Sequence, residues 1–448
     1  MAKKGTMLFN GELERELVMG NPDLGNLILD VGLKVYEIQS TGGAIGCMLV
    51  SLFFLGTWPA IIASLERRGR LPQHTALDYA ISNLLAAVIM VVTIGQNGDS
   101  KPALPNFLDQ LSQIQENWPS VSLALTSGVI LSMGNLSAQY SWALVGLSVT
   151  EVVSCSISVT IGTTMNYFLD SRMNKAEILF PGVGCFLIAV FLGSAVHKSN
   201  AADNIQKLRS LPTKLDKGAR NKDVSTLKGI STTIVEPLDA EKGNKIDWKR
   251  EPEPEFGSVD FLIELEQKRS IKVFGRGTWV GLTATFFAGF CFALFSPLFN
   301  LASNDQFHLL KRGVPHLVVY TGFFYFSVSF TVIAVILNVS FLYHPILGAP
   351  KSSFSVYLKD WNGRAWAILA GLLCGFGNGL RFMGGQAAGY ATADSVQALP
   401  LVTTLWGVLI FGEYRKSSRQ TYILLTSMLS MFTIAVGFFL GSSQHRKL

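Results

Sequence analysis

The sequence is poor in charged residues, which make up 15% of its 448 positions, whereas soluble proteins carry about 25%. Hydrophobic residues account for 49% of the chain. They recur in stretches close to the roughly 20 residues that a transmembrane helix needs. The shortage of charge therefore excludes an ordinary soluble domain and predicts an all-α polytopic membrane protein.

Several sequence patterns of enzymes and metalloproteins are also missing. The five cysteines lie in apolar stretches with neither C-x-x-C spacing nor a neighbouring histidine, which argues against a zinc site or a disulfide framework. Gly275-Arg276-Gly277 does not belong to a phosphate-binding loop, and the glycines at 375–379 do not complete a dinucleotide fingerprint. We therefore predict no enzyme activity, no catalytic residue, no metal and no cofactor, and a membrane enzyme is the weakest hypothesis.

The basic residues give no sign of a nucleic-acid partner. The formal net charge is +6, but Lys and Arg lie in the polar connections and form no patch interleaved with aromatic residues. Membrane topology explains them better. The first forty residues are polar and lack the apolar core of a signal peptide, so the first apolar stretch is expected to act as a signal anchor.

Ten apolar stretches predict ten transmembrane helices. Gly146 and Gly389 are the predicted helix ends where two stretches nearly fuse. The predicted spans lie near residues 43–64, 78–95, 121–145, 148–169, 177–196, 277–301, 316–343, 365–389, 392–412 and 420–441.

The ten spans fall into two groups of five. Residues 197–276 are polar, include Glu251-Pro252-Glu253-Pro254-Glu255 and predict a hydrophilic cytosolic linker. Within it, residues 261–272 fit either an amphipathic helix on the membrane surface or a solvated helix. The predicted organisation is a polar tail at 1–42, a five-helix unit at 43–196, the linker at 197–276, a second five-helix unit at 277–441 and a tail at 442–448.

The distribution of Lys and Arg predicts the orientation in the membrane. The short loops after spans 1, 7 and 9 carry nine basic residues, whereas the opposing short loops carry five. This difference places the linker in the cytosol and both termini outside, while the basic ends of the two tails favour the reverse. The nine are Arg67, Arg68, Arg70, Lys351, Lys359, Arg364, Arg415, Lys416 and Arg419, and the five are Lys101, Arg172, Lys175, Lys311 and Arg312.

An internal repeat relates the two groups of spans. Residues 128–172 align without a gap on residues 371–415, at a fixed offset of 243. Two units with an odd number of spans insert with opposite topology, so we predict two inverted five-helix repeats with a site near the midplane between them. The alternative is a chance recurrence of small residues. The aligned pairs include Gly128 and Gly371, Asn135 and Asn378, Gly146 and Gly389, Glu151 and Asp394, Asp170 and Glu413, and, more loosely at another offset, Pro59 and Pro297.

Three ionisable residues lie within the predicted spans: Glu151, Arg381 and Asp394. Each costs about 3 kcal/mol to insert, so such residues tend to mark transport pathways. We predict that they serve proton coupling, substrate contact or a charge pair. Glu151 and Asp394 also fit acids that are stabilised near helix starts. Arg381 needs a partner, either Asp394 or Glu151, and their pair is either structural or able to open and bind an anion.

Five carboxamides and two tryptophans complete the predicted binding residues. The carboxamides offer donors and acceptors that suit a ligand with amide or ureido groups, although each also fits a contact between helices. The tryptophans lie away from the membrane interface and suit stacking on a planar heterocycle, or simply core packing. The seven residues are Trp58, Asn135, Gln139, Trp142, Asn378, Gln386 and Gln397.

Many stretches in both halves are similar to one family. They are GAI (43–45), LGTWPA (55–60), ERRGRLPQH (66–74), GLSVTEV (146–152), GSAVHKSNAAD (193–203), FSP (295–297), YHPILG (343–348), DWNGR (360–364), GFGNG (375–379), MGGQAAGY (383–390) and QALPL (397–401). The sequence resembles the ureide permeases, plant transporters of allantoin and related nitrogen-rich heterocycles. The resemblance covers nearly all ten spans and does not include the N-terminal tail or the linker.

The resemblance implies membership of the drug/metabolite transporter superfamily. It also implies proton-coupled import of allantoin, uracil, xanthine or similar compounds, so the expected partners are a heterocyclic substrate, protons and the lipid bilayer. Arg381 departs from the family pattern, which has an uncharged Gln there. Superfamily relatives place both termini in the cytosol, against the loop charges. Plasma membrane or endomembrane, and monomer or homo-oligomer, stay open.

A second hypothesis is a transporter-like membrane receptor or scaffold that acts through the central linker. Such a protein would bind a ligand without moving it across the membrane. Deletion of the linker separates the two hypotheses, because transport by the helices would survive the deletion and signalling would not.

Overall fold

The computed structural model describes residues 38–96, 105–209 and 277–443, except positions 39, 312, 348 and 416. Within these ranges the secondary structure is helical and contains no strand. Ten helices are long and apolar enough to cross a membrane, so the predicted number of spans is confirmed. The N-terminal tail, residues 210–276 with the predicted helix at 261–272, and the last five residues lie outside the described residues.

Ten helices, numbered here α1 to α10, form the membrane domain. Two are built from consecutive segments: α4 contains a π-helical stretch, and α9 contains a 3₁₀ stretch. Short helices also lie in two loops, at Phe107–Ser112 and Phe354–Lys359. The bounds are α1 Thr41–Arg67, α2 Pro72–Thr93, α3 Trp118–Val145, α4 Leu147–Ile157 with Ser158–Thr163 and Thr164–Leu169, α5 Ala176–Arg209, α6 Gly277–Asn304, α7 Val319–Tyr343, α8 Arg364–Ala388, α9 Tyr390–Ala393 with Asp394–Gln397 and Pro400–Phe411, and α10 Arg419–Gly441.

Two helix bounds differ clearly from prediction. Helix α2 begins at Pro72 instead of residue 78, because proline fits the first helical position, where its missing N–H is not needed. Helix α5 continues to Arg209, past the predicted boundary at 196. Asp203 of this extension accepts hydrogen bonds from the Ser418 amide at 2.8 Å and the Thr421 hydroxyl at 2.7 Å. The predicted linker therefore begins with three further helical turns.

The predicted helix ends at two glycines are confirmed. Gly146 ends α3 with a φ of 91°, and Gly389 ends α8 with a φ of 96°. Side chains with a Cβ rarely adopt these angles, so glycine allows the chain to turn sharply into the next helix. Each turn brings a carboxyl group, Glu151 or Asp394, close to the helix that precedes it.

The contacts between helices fit the predicted repeat. Helix α3 packs against α6 and α7, and α8 packs against α1 and α2. In the repeat, α3, α6 and α7 correspond to α8, α1 and α2, so the two sets of contacts are equivalent. The remaining large contacts, α2 with α7 and α5 with α10, each join a helix to its own counterpart. The inverted orientation of the two units stays a prediction.

Aligned glycines mark equivalent close approaches in the two halves. A Cβ on Gly128 of α3 would meet the Phe326 carbonyl and the Ser329 hydroxyl of α7. A Cβ on Gly371 of α8 would meet the Tyr79 carbonyl and the Ser82 hydroxyl of α2. On each partner helix, the carbonyl and the hydroxyl belong to residues three positions apart. Glycine at both sites therefore allows the same close approach of the backbones.

We expect Gly371→Ala to destabilise the protein by about 1–3 kcal/mol, because its methyl group overpacks the contact between α8 and α2. Gly437→Ala is the matched control: a Cβ there meets nothing within 4 Å, and alanine favours a helix by up to about 1 kcal/mol. Thermal unfolding of the purified protein measures both. Equal melting temperatures for the two variants would contradict the expected packing.

Candidate functional site

A buried cavity lies between α1, α3, α4, α6, α8 and α9. Seven of the ten residues predicted as site residues line it: Trp58, Asn135, Trp142, Glu151, Asn378, Arg381 and Gln397. They come from both halves of the chain. The remaining lining side chains are mainly apolar and include Leu131, Phe292, Phe295 and Val396. Polar groups of several kinds therefore meet within an apolar wall, as in many small-molecule sites.

Aromatic rings form one wall of this cavity. The ring centroids of Trp58 and Trp142 are 5.4 Å apart, and those of Trp58 and Tyr79 are 5.0 Å apart. Trp142 donates its indole N–H to Glu151 Oε1 at 2.9 Å. The wall therefore combines flat apolar faces with a carboxyl group at its edge.

Two carboxamides meet at a shared polar centre that the sequence did not predict. Asn135 Nδ2 donates to the Tyr79 hydroxyl at 2.8 Å, and this hydroxyl donates to Cys374 Sγ at 2.8 Å. Asn378 Nδ2 donates to the Cys374 carbonyl at 3.1 Å and lies 3.3 Å from its sulfur. Tyr79 and Cys374 therefore join the two asparagines that the repeat aligns.

A buried ion pair lies beside these asparagines. Arg381 donates to Asp394 Oδ1 at 2.6 Å, and their side chains are 2% and 1% exposed. With its amide oriented to satisfy hydrogen bonding, Gln397 accepts from Arg381 Nη1 at 2.9 Å. The guanidinium carbon is 4.8 Å from the centroid of the Phe295 ring. Of the two candidate partners for Arg381, the structure pairs it with Asp394.

Two further asparagines hold the other side of Asp394. Asn166 Nδ2 donates to Asp394 Oδ2 and to the Ser296 hydroxyl, each at 3.1 Å. Asn300 Nδ2 donates to Asn166 Oδ1 at 3.2 Å. Sequence reasoning missed these residues because the repeat offset aligns Asn166 with Leu409. Asp394 is thus fixed by partners on α4 as well as α8.

Glu151 has a different environment from its counterpart Asp394. Its side chain is also buried, at 3% exposed, but its partners are the Trp142 indole and the Cys155 thiol at 3.8 Å. Across the part of the chain that the structure describes, no basic side chain forms a salt bridge with it. Glu151 is therefore the carboxyl group of this cavity that only neutral groups contact.

The two remaining predicted residues lie elsewhere. Gln139 Nε2 donates to the Pro72 carbonyl at the start of α2, at 2.9 Å. Gln386 accepts from the Tyr390 hydroxyl at 3.4 Å. Neither residue lines the cavity, and both bonds join one helix to the next, as interhelical carboxamides often do.

Known proteins match this chain over most of its length. Residues 75–442 match the ureide permease family. The chain belongs to that family. It is 62% identical to ureide permease 2 of Arabidopsis thaliana, over 92% of this chain and 100% of the relative. It is 58% identical to probable ureide permease A3 of Vigna unguiculata, over 86% of this chain and 99% of the relative. No solved structure matched.

This membership and the ten spans establish an integral membrane transport protein rather than an enzyme. The stretches that carry the family resemblance lie in both halves of the chain. Two of them, at 66–74 and 360–364, meet in the structure of the permease at the side of the membrane to which α5 leads, here called the linker side.

Charged side chains connect the two halves of the permease on the linker side. Asp78 accepts from Arg70 at 2.5 Å, from Arg364 at 3.3 Å and from the Tyr357 hydroxyl at 2.8 Å. Burial raises the pKa of Tyr357 to about 12, and the hydrogen bond to Asp78 adds to this effect. Tyr357 is therefore a neutral donor at physiological pH.

A second carboxylate completes this connection. Asp360 of the second half lies 2.7 Å from His74 Nδ1 and 3.7 Å from Arg70 Nη1, both in the first half. Burial alone would raise the pKa of Asp360, but the hydrogen bond from His74 and the charge of Arg70 outweigh burial and lower it. The charged form of Asp360 therefore holds the loops together.

We expect Arg381→Gln to destabilise this permease by about 3–5 kcal/mol, because it leaves the buried carboxylate of Asp394 without a countercharge. Adding Asp394→Asn removes that charge and should restore most of the loss. Thermal unfolding in detergent measures both variants. Arg419→Gln, at an exposed helix start, is the control and should melt like the wild type. A double variant as unstable as the single one would contradict this account of the pair.

Proposed function

We propose that this permease is a secondary active transporter that imports allantoin and related oxo-heterocycles such as uracil and xanthine, with coupling to protons. The observation that carries the proposal is the cavity in which carboxamides, tryptophans and ionisable residues from both halves meet. The relatives are named as ureide permeases, which supports the same class of ligand.

The chemistry of the cavity fits a flat, amide-rich ligand. The rings of Trp58 and Trp142 offer faces for stacking, and Asn135, Asn378 and Gln397 offer amide groups for a ligand edge made of N–H and C=O. The cavity leaves about 40 Å³ for the centres of water-sized molecules, enough for a few waters. A heterocycle therefore needs the helices or these side chains to move apart.

Contacts between the two halves lie on both sides of the membrane domain. On the linker side these are the bonds of Asp78 and Asp360. On the opposite side, Asp170 accepts from the Tyr390 amide at 2.7 Å, and Asn174 donates to the Thr392 hydroxyl at 2.6 Å. Breaking one set while the other holds would open the cavity to one side at a time, as alternating access requires.

Glu151 is the proposed proton carrier. A buried carboxylate without a cationic partner is costly, so a proton on Glu151 favours the conformation seen here, in which this side chain is buried. Loss of that proton would favour a conformation in which water reaches the side chain. Asp394 is less suited, because Arg381 and Asn166 hold its oxygens.

In a host that lacks ureide uptake, surface-expressed permease should take up labelled allantoin and uracil, and uptake should rise as the outside pH falls. The physical reason is that proton entry drives import. Uptake assays across a range of outside pH, with a host that carries an empty vector as control, measure this. Absence of uptake of either compound by protein at the cell surface would refute the proposed transport.

Glu151→Gln should abolish the pH dependence of uptake, because the amide resembles a permanently protonated carboxyl group. The initial rate as a function of outside pH is the measurement. Glu177→Gln is the matched control, since Glu177 is an exposed acid in the first turn of α5, and its pH profile should stay that of the wild type. An unchanged profile for Glu151→Gln would remove Glu151 from proton coupling.

A further inference from the structure

Hydrogen bonds within the protein set the orientation of the amide groups of the two asparagines in the cavity. Asn378 Nδ2 donates to the backbone carbonyl of Cys374, and a carbonyl can only accept, so the orientation of this amide is fixed. Asn135 Nδ2 donates to the Tyr79 hydroxyl, whose own proton goes to Cys374 Sγ. Both side chains therefore keep their oxygens, which can only accept, for a ligand.

Among the residues that the structure describes, none donates a hydrogen bond to Oδ1 of Asn135 or of Asn378. Both asparagines line the cavity. An unpaired acceptor in an apolar cavity is unfavourable, so a ligand that supplies an N–H to each oxygen gains affinity.

Gln397 offers the cavity a hydrogen-bond donor, whereas the asparagines offer acceptors. Its oxygen accepts from Arg381 and, at 3.2 Å, from the Ser158 hydroxyl. Among the described residues, none accepts a hydrogen bond from its amide nitrogen in this orientation. That nitrogen carries two N–H groups and belongs to a residue that also lines the cavity. Arg381 is one helical turn from Asn378 on α8. The cavity thus combines two acceptors from asparagines with one donor from glutamine.

We propose that the cavity selects ligands by a ureido edge: the oxygens of Asn135 and Asn378 accept from the two N–H groups that flank a carbonyl, and the Gln397 amide donates to that carbonyl. This inference rests on the proposed function, since it concerns the same cavity and the same transported compounds. It adds which atoms of the ligand these side chains recognise. Tyr79 acts as a positioning residue, because its hydroxyl fixes the Asn135 amide.

The uracil ring provides the ligands for a test, since N1–H, C2=O and N3–H form one such edge. Methylation at N1 or N3 removes one N–H, whereas methylation at C5 adds the same bulk and keeps both. Competition with uptake of labelled allantoin by the full-length permease compares these compounds. We expect uracil and 5-methyluracil to compete alike, and 1-methyluracil and 3-methyluracil to compete at least about tenfold more weakly, because each leaves an acceptor unpaired.

Two variants link this discrimination to named atoms. Asn378→Leu removes one acceptor and should abolish the penalty for one of the two N-methyl isomers. Tyr79→Phe keeps the ring against Trp58 and removes the hydroxyl that orients Asn135, so the ratio of inhibition constants for the other isomer should fall toward one. Asn338→Leu is the control: Asn338 donates to the Ala334 carbonyl in the same local pattern, is buried on α7 and does not line the cavity.

The outcomes separate this inference from the proposed function. No uptake of allantoin would refute transport itself. Uptake in which the N-methyl compounds compete as well as 5-methyluracil, or in which uracil does not compete, would overturn the ureido edge alone. Wild-type discrimination in both Asn378→Leu and Tyr79→Phe would also overturn it, whereas loss of discrimination in these two variants and not in Asn338→Leu supports it.

Discussion

The ion pair of Arg381 and Asp394 is the interaction on which the centre of this permease depends. A guanidinium group that is 2% exposed in a membrane domain cannot be left without partners, because neither lipid nor apolar side chains can hydrogen-bond it. Asp394 and Gln397 both come from the 3₁₀ segment of α9. The irregular backbone there therefore places two acceptors beside one buried cation.

Close packing of the surrounding helices makes this centre possible. Gly128 and Gly371 allow α3 and α8 to approach α7 and α2 without an intervening side chain. Neighbouring helices then lie near enough for Asn135 to reach Tyr79 and for Asn166 to reach Asp394. Small residues at the contacts and carboxamides at the centre are therefore parts of one arrangement, in which short distances between backbones satisfy buried polar groups.

The sequence predicted those features that depend on local composition. Apolar length identifies ten spans, and glycine at 146 and 389 identifies two helix ends. The polar and aromatic residues within apolar stretches include seven that line one cavity. Tyr79, Cys374 and Asn300 could not be found in this way, since each is an ordinary residue of a membrane helix until its partner on another helix is known.

The same limit explains the predictions that the structure places differently. Gln139 and Gln386 are carboxamides within apolar stretches, like Asn135 and Asn378. They hydrogen-bond to the adjacent helix, however, and do not line the cavity. The extension of α5 is polar, so no apolar signal marks it, and its stability comes from contacts with the start of α10. Side-chain direction and tertiary partners decide these cases, and one sequence gives neither.

The two acids show how a repeated scaffold can hold unlike chemistry. Each follows a helix-ending glycine, and each is bonded by a residue of the preceding helix: Trp142 for Glu151, and Arg381 for Asp394. At the repeat offset, however, Trp142 aligns with Gly385, and Arg381 aligns with Ala138. The partners are therefore not copies of each other. One acid has a cationic partner, whereas the other meets only neutral donors.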